Sequence, residues 1–570
     1  MRAFRAWLSG LFNPKTIKED AVAGVVLGVE SIPDGLAGGL LAGVNPVYGL
    51  YAYMTGTFTG ALFTSSTFMA VQATGAMAIV VADVQAVQSP ENGDTALFTL
   101  AVLTGVVMLL AGLLKLGSLL RFVSNAVMVG FISAVGVNII LGQLDNFSGY
   151  ESQGANRIAR ALDLLLNLGE AHWESMFIGT ITIGLILLLE RSFLGPLGLV
   201  VAIVVTSALV PLTGWDVLQL QDITEVPRTL PLPVLPDLTL TLDLVIPAVA
   251  LAFVGLVQGA GISGKVPNPD GQFPDPSQDF TGQGAANAAA GFLQGMPVGG
   301  SMSATSLVKE AGAKSKAALL IASVVMAVCV LLFGDVVEAI AMPALGGLLM
   351  LVGFRTIKPD DIRSVWRTGY SQAAVMSFTF LYTLFLPLQT AVLLGVGVSF
   401  LLHVINVSNR LEVMRWVRDD QGMYEEEPPS EVGTAEVIVL QPYGQLFFAS
   451  ADVLDEELPA VTKETSNSVV VIRLRGTHTL GSTLVGVIDG YARALRTADS
   501  KLMLIYSDTR IHDQLVASNT HELIGEDNLY SSDQRLLKTV DTAYRDAEAW
   551  IARNQNADGA KDDHSEENQD

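Results

Sequence analysis

Between Ala21 and Leu114 there is not one lysine or arginine. Charge of either sign is sparse throughout: 16% of the 570 residues are charged, while 50% are hydrophobic. That balance excludes an ordinary soluble globule, in which roughly a quarter of residues are charged. The net charge of −23 argues against nucleic acid as a partner, because neutralising phosphates takes clustered Lys and Arg. Cysteine is just as scarce. Cys329 stands alone, which excludes an intramolecular disulfide, and its apolar surroundings mark it as inert packing.

What the chain has in quantity is apolar sequence. Runs of roughly 17 to 22 apolar residues, enough to cross a hydrocarbon core, recur along most of the chain. Fourteen candidate spans are centred near residues 30, 55, 78, 106, 132, 182, 204, 253, 288, 304, 325, 344, 379 and 397. Cytoplasmic loops should hold the basic residues. With the amino terminus inside, the loops after even-numbered spans carry Lys115 and Arg121, Arg191, Lys265, Lys309 with Lys314 and Lys316, then Arg355, Lys358, Arg363 and Arg367. The opposite loops include DVQAVQSPENGD, which has none; Arg157, Arg160 and Arg228 fit less cleanly. The even count places both termini in the cytoplasm of a multi-pass protein of the cell membrane. The opening MRAFRAWLSGLF is basic and partly apolar without a small-residue cleavage site, so residues 1–19 are expected to be a cytoplasmic lead-in, not a removed signal.

The membrane-spanning region is expected over 20–408. RLEVMRWVRDDQGMYEEEPPSEVG then reads as a basic exit and an acidic, proline-containing linker over 409–433. AEVIVL, QLFFA, SVVVIRL and KLMLIY have β-type composition, and STLVGVIDGYARAL and DQRLLKTVDTAYRDAEAWIA have helical spacing of apolar residues. They predict a small α/β domain over 434–556, followed by an acidic disordered tail over 557–570.

Four apolar segments are unusual. ESIPDGLAGGLLAGVNPVYGLY carries Glu30, Asp34 and a Pro33-Asp34-Gly35 turn signature; SSTFMAVQATGAMAIVVADV, AFVGLVQGAGISG and GFLQGMPVGGSMSATSLVKE are rich in small residues and carry amides. Small residues line ordinary helix contacts in membranes. Gln72, Thr74 and Gly75 nevertheless cluster at the start of one span, and Gly300, Ser301, Ser303 and Thr305 follow Pro297 at the start of another. Helices that begin midway through a bilayer turn their free N–H groups and positive dipole ends toward one cavity. Such a pair of ends is an anion site that needs no basic side chain. Lys265 and Lys309 flank the ninth span and the start of the tenth without entering them.

IPDGLAGGLLAGVNPVYGLY, QATGAMAIVVADV, FTGQGAANAAAGFLQGMPVGGSMSAT and VIVLQPYGQLFFASAD, in that order, resemble the first, third and ninth-to-tenth spans and the STAS domain of the sulfate permease (SulP) family of anion transporters. The resemblance covers about residues 14 to 556. It implies a polytopic α-helical membrane protein of seven plus seven inverted repeats, followed by a cytoplasmic α/β STAS-like domain. It also implies a core of spans 1 to 4 and 8 to 11 moving against a gate, an anion between the starts of spans 3 and 10, and a STAS-mediated homodimer. Thr74 falls on the family's span-three contact, and Ser303 and Thr305 fall on span-ten contacts. The sequence departs from the family at several of these places. Asp34 stands where the family usually has Gln, and Gln258 where many members have an acidic residue. Ala304 replaces the basic residue of many animal members, and Ala73 and Ala76 replace common prolines.

A carboxylate near the bilayer centre costs about 2.5–3.5 kcal/mol, so Asp34 needs a partner. Either Pro33-Asp34-Gly35 breaks the helix and Asp34 caps its second half, or Asp34 binds H+ or Na+ and couples it to the anion, with Gln258 as its counterpart in the second repeat. Gln258 can offer donors to an oxyanion or an acceptor to a cation without a buried charge. In the soluble domain Gly481 occupies the place of the Asp found at phosphorylated STAS sites, so Ser482 and Thr483 are expected to be a helix cap. His478, His512 and His521 lack metal-ligand spacing. The chain therefore reads as a secondary active transporter of a small inorganic anion, sulfate first and bicarbonate close behind, with no cofactor beyond the coupling ion. It shows no enzymatic constellation. The alternatives are a dicarboxylate or exchange carrier, an anion-responsive regulator that does not transport, and a nucleobase permease, which would lack the STAS domain.

Overall fold

The computed structural model describes residues 16–566, apart from 117–123, 155, 227, scattered positions between 387 and 409, 420–421 and 534–536. The chain divides into two compact units, Met1–Ser399 and Phe400–Asp570.

The first unit is helical. Its principal helices are α1 (Ile17–Leu41), α2 (Pro46–Phe63), α3 (Gly75–Ala82), α4 (Gly93–Leu113), α5 (Asn125–Gly142), α6 (Trp173–Leu189), α7 (Leu197–Thr213) and α8 (Thr241–Ser263). They continue with α9 (Pro276–Phe292), α10 (Met302–Glu310), α11 (Ala317–Leu332), α12 (Met342–Thr356) and α13 (Tyr370–Phe385). Helices thus cover every expected centre from 30 to 379; the one near 397 lies largely outside the described residues. By length and apolarity four helical segments suffice to cross a membrane: Ile17–Leu41, Gly93–Leu113, Asn125–Ser148 and Leu238–Ser263. Capping follows local chemistry: Asn45 and Asp275 each accept a backbone N–H ahead of a proline-started helix.

Two groups emerge from the packing. α1 lies on α11, α4 on α8 and α9, and α2 on α9 and α11, whereas α5 packs with α12 and α13, and α6 with α7 and α12. Close approach is made possible by glycine. A Cβ on Gly24 or Gly28 of α1 would sit 2.6 Å from the Ala318 oxygen or 2.7 Å from the Ala322 oxygen of α11.

One expectation fails in α1. The helix runs unbroken through Pro33, so Pro33-Asp34-Gly35 does not split it and Asp34 caps nothing. Proline removes one N–H, but neighbouring helices tolerate that loss in a packed membrane bundle.

The second unit is an α/β sandwich. Strands β3 (Glu412–Asp419), β4 (Gly422–Glu426), β5 (Val437–Tyr443), β6 (Val469–Leu474), β7 (Lys501–Tyr506) and β8 (Leu529–Ser531) form one sheet in the order β4-β3-β5-β6-β7-β8. β5 to β8 are parallel, with Val439 opposite Val471 and Val471 opposite Met503, while β3 and β4 are added antiparallel. On one face Leu440 and Ile472 pack with Leu484, Ile488 and Leu495 of α14 (Gly481–Thr497) and with Ile511 and Leu515 of α15 (Thr509–Ala517). On the other face Val439, Val471 and Met503 meet Val540, Ala543 and Ala547 of α16 (Lys538–Glu566).

Two boundaries need correcting. The stretch 409–433 is not a plain linker, because β3 and β4 lie within it as a hairpin on the sheet. The tail expected to be disordered from 557 instead continues α16 to Glu566; residues 567–570 lie outside the described residues.

Candidate half-helix anion site

α3 and α10 are short and begin inside the first unit, each after a three-residue strand, α10 directly and α3 with two residues between. β1 (Ala70–Gln72) and β2 (Gly299–Ser301) pair antiparallel, Ala70 with Ser301, Val71 with Gly300 and Gln72 with Gly299. This pairing satisfies extended backbone far from water, where an unpaired peptide group would be costly. It also brings the two helix starts to one place.

Each start is capped by its own side chain. Thr74 Oγ1 accepts the Met77 N–H at 3.3 Å, and Ser301 Oγ accepts the Ala304 N–H at 3.4 Å. The Ala78 N–H goes to the Thr74 carbonyl. The N–H groups of Gly75 and Ala76 on α3, and of Met302 and Ser303 on α10, belong to the turn that no intrahelical carbonyl can serve. Ser303 is exposed, and its hydroxyl lies 3.2 Å from that of Ser301.

The cap on α3 reaches further. Thr74 Oγ1, already accepting from Met77, donates its proton to Gln258 Oε1 on α8 at 2.9 Å. With the oxygen of Gln258 so engaged, its Nε2 is left with two donors and no partner among the described residues. Gln258 also lines an apolar cleft between α8, α5 and α13 with Val127, Phe131, Val254, Val257 and Thr379. A donor-only face in an apolar cleft suits an oxyanion better than a cation.

Other residues expected at the site are braces. Thr305 is fully buried; its hydroxyl accepts the Ala70 N–H at 3.2 Å and donates to the Ser301 carbonyl at 2.5 Å. The Gly300 N–H is taken by Gln283 Oε1 at 3.0 Å, and buried Gln72 donates to Ser31 of α1 at 3.0 Å. Internal bonding therefore occupies the Thr305 hydroxyl, the Gly300 N–H and one donor of the Gln72 amide. Gly75, Thr74, Ser301 and Ser303 stay at the helix starts.

Two amides of α9 complete the frame, and their roles are invisible in composition. Asn287 bonds both ways to Val298, donating to its carbonyl at 2.6 Å and accepting its N–H at 2.9 Å. Gln283 sits so close to α8 that a Cβ on Gly259 would lie 2.1 Å from its Nε2. The i, i+4 spacing of Gln283 and Asn287 within GQGAAN was the available signal, since it puts both on one helix face.

Asp34 is half-buried on the α1 face that also carries Glu30, one turn away, and Ser31, which holds Gln72. No hydrogen bond or ion pair to Asp34 exists among the described residues. Nearby, a Cβ on Gly38 would stand 3.8 Å from the Tyr53 ring and 4.0 Å from the Ala73 carbonyl, which locates this part of α1 beside the start of α3. Lys309 lies in the last turn of α10 and Lys265 beyond the end of α8, away from the helix starts.

Residues 17–379 match the profile of the sulfate permease family, and residues 429–542 match that of the STAS domain. The putative sulfate transporter YvdB of Bacillus subtilis is 24% identical over 527 residues, covering 91% of this chain and 97% of its own. The probable sulfate transporter Rv1739c of Mycobacterium tuberculosis is 24% identical over 556 residues, 95% of this chain and 96% of its own. The murine Slc26a9 anion transporter in its inward-facing state superposes with a TM-score of 0.84 at 19% identity, over 95% of this chain and 93% of that one. The transmembrane domain of the cyanobacterial bicarbonate transporter BicA gives 0.59 at 23% identity, over 68% of this chain and 98% of its own. At such identities the structural likeness is one of fold.

Proposed function

The chain belongs to the sulfate permease family of multi-pass anion transporters, and we propose that it moves a small inorganic anion by secondary active transport, sulfate first and bicarbonate close behind. It is a transporter and not an enzyme. The observation that carries this reading is the Thr74–Gln258 bond beside the paired β1 and β2, where two capped helix starts and a donor amide lie. Helix-end N–H groups, hydroxyls and an amide bind an oxyanion loosely enough to release it. The anion ligands on this reading are Thr74, Gly75, Ser301, Ser303 and Gln258, with Gln258 moved from the coupling ion to the anion.

The packing supports an alternating-access arrangement of seven plus seven inverted repeats. α1 lies on α11 as α8 lies on α4, and β1 pairs with β2, the exchange of partners that a two-fold relation between the halves would produce. The core is then α1–α4 with α8–α11, moving against the remaining helices. Asp34, uncompensated beside the start of α3, is the coupling carboxylate for H+ or Na+, since its negative charge would otherwise repel the anion. The STAS domain serves as a packing and dimerisation module on the cytoplasmic side with both termini.

Uptake of labelled sulfate and bicarbonate into proteoliposomes, with imposed Na+ or H+ gradients, tests the reading. Gradient-driven accumulation of either anion supports it, and anion binding without any uptake would leave a regulator in its place.

A further inference from the structure

The turn between α12 and α13 is not a simple loop. Pro359–Thr368 forms a helix of its own, packed against α5 and α13 through buried Val365. At 100° per residue, Ile362, Val365 and Trp366 share one side, and Asp360, Arg363, Ser364 and Arg367 the other. The polar side, with Thr368, lines an open groove.

Three features of this helix have no use in moving the anion. Arg363 and Arg367 stand one turn apart, in a chain of net charge −23. Arg367 has no partner among the described residues, and Arg363 has only a 3.4 Å contact with Asp360, an acid of the first turn that also complements the helix dipole. Large aromatics on the helix and on either side of it in the chain are open, with Trp366 57%, Phe354 70% and Tyr370 95% exposed.

We propose that this groove is a headgroup site for an anionic phospholipid of the cytoplasmic leaflet. A helix joining two membrane helices is confined to the membrane surface, and the basic residues from Arg355 to Arg367 place this turn on the cytoplasmic side. Exposed Trp, Phe and Tyr beside it fit the interfacial belt, where an aromatic ring has one apolar and one wet end. The apolar side of the helix holds it to α5 and α13 through Val365 and leaves Trp366 exposed for the acyl-chain boundary. The polar side offers a phosphodiester two guanidinium forks and the Ser364 hydroxyl; the Thr368 hydroxyl is already spent on the Ser364 carbonyl. Arg355 does not contribute, because both its terminal nitrogens are bonded to Glu190. The charge complementarity and the membrane setting select a lipid over a dissolved anion.

The test uses the full chain reconstituted in phosphatidylcholine, alone or mixed with phosphatidylglycerol. Electron spin resonance with spin-labelled phosphatidylglycerol and phosphatidylcholine reads the preference of the protein-bound shell for each lipid. Each basic residue near an anionic surface contributes on the order of fivefold in binding. The parent is expected to prefer phosphatidylglycerol, and R363Q/R367Q to lose about 25-fold of that preference, with a smaller loss for S364A. Excess inorganic phosphate should leave the labelled lipid in place. Equal preference in parent and double variant, or displacement by inorganic phosphate, would overturn the proposal. Because the readout is lipid contact, failure here leaves the transport reading untouched, and failure of transport leaves this site standing.

Discussion

Thr74 caps α3 through the Met77 N–H and at the same time donates its hydroxyl proton to Gln258, 2.9 Å away on α8. One hydroxyl therefore sets both the start of a half-helix and the orientation of an amide on a different helix.

Thr74→Val keeps the shape and removes both bonds. Loss of the cap costs about 1 kcal/mol, and Gln258 is released to rotate. A hydrogen bond to a charged ligand is worth about 1.5–3 kcal/mol, so KM for sulfate should rise tenfold or more. Thr74→Ser should stay near the parent in the same proteoliposome uptake assay.

Gln258→Glu separates the two roles of that position. If Gln258 donates to the anion, a carboxylate there repels it, and uptake should fall by at least tenfold, most strongly at high pH. Parent-like anion affinity with steeper dependence on Na+ would return Gln258 to the cation.

Asp34→Asn should abolish dependence on the H+ or Na+ gradient while anion exchange at equilibrium persists. A variant that still follows the gradient would show that the carboxylate does not couple.

Asn287→Ala strips the Val298 N–H and carbonyl of their shared partner inside the unit. An unsatisfied buried group costs about 1–3 kcal/mol. The thermal unfolding midpoint in detergent should fall clearly, and anion affinity with it; an unchanged midpoint would mean that β2 holds its place without α9.

In the STAS domain, Arg510 bonds the Asp508 carboxylate through its guanidinium and its backbone N–H, with the His478 ring as a further donor, and together they hold that carboxyl well below the usual carboxylate range. A depressed folded-state value means the contribution is complete above the ordinary carboxylate range and fades as pH falls toward the depressed one. Asp508→Asn should speed amide hydrogen exchange in Thr509–Ala517 at neutral pH. The gap between variant and parent should close in strong acid; a constant gap would assign the effect to the helix cap alone.

Several of these relationships were legible in the chain before any fold. The helix starts near Thr74 and Ser301 were readable because clustered small residues, with Pro297 ahead of the second, are a local signal. The soluble α/β domain was readable because alternation and helical spacing are properties of short windows. The hairpin at Glu412–Glu426 was not, because acidic residues and nearby prolines resemble a linker, and only pairing with β5 makes that stretch a strand. Pro33 misled for the same reason. A proline signals a break in an isolated helix, yet α1, packed on α11 and its other neighbours, continues through it.

By itself the sequence determined that the chain has many apolar spans followed by an α/β domain, because apolar run length and residue alternation act within one helix or one strand, while the expectation of an anion carrier came from its resemblance to the sulfate permease family. Only the tertiary structure decided which polar groups are bonded within the protein. Gln72, Gly300 and Thr305 have the same chemistry as Thr74, Ser303 and Gln258, but a hydrogen-bonding group serves whichever partner is nearest, and nearness across α1, α8 and α9 is set by packing.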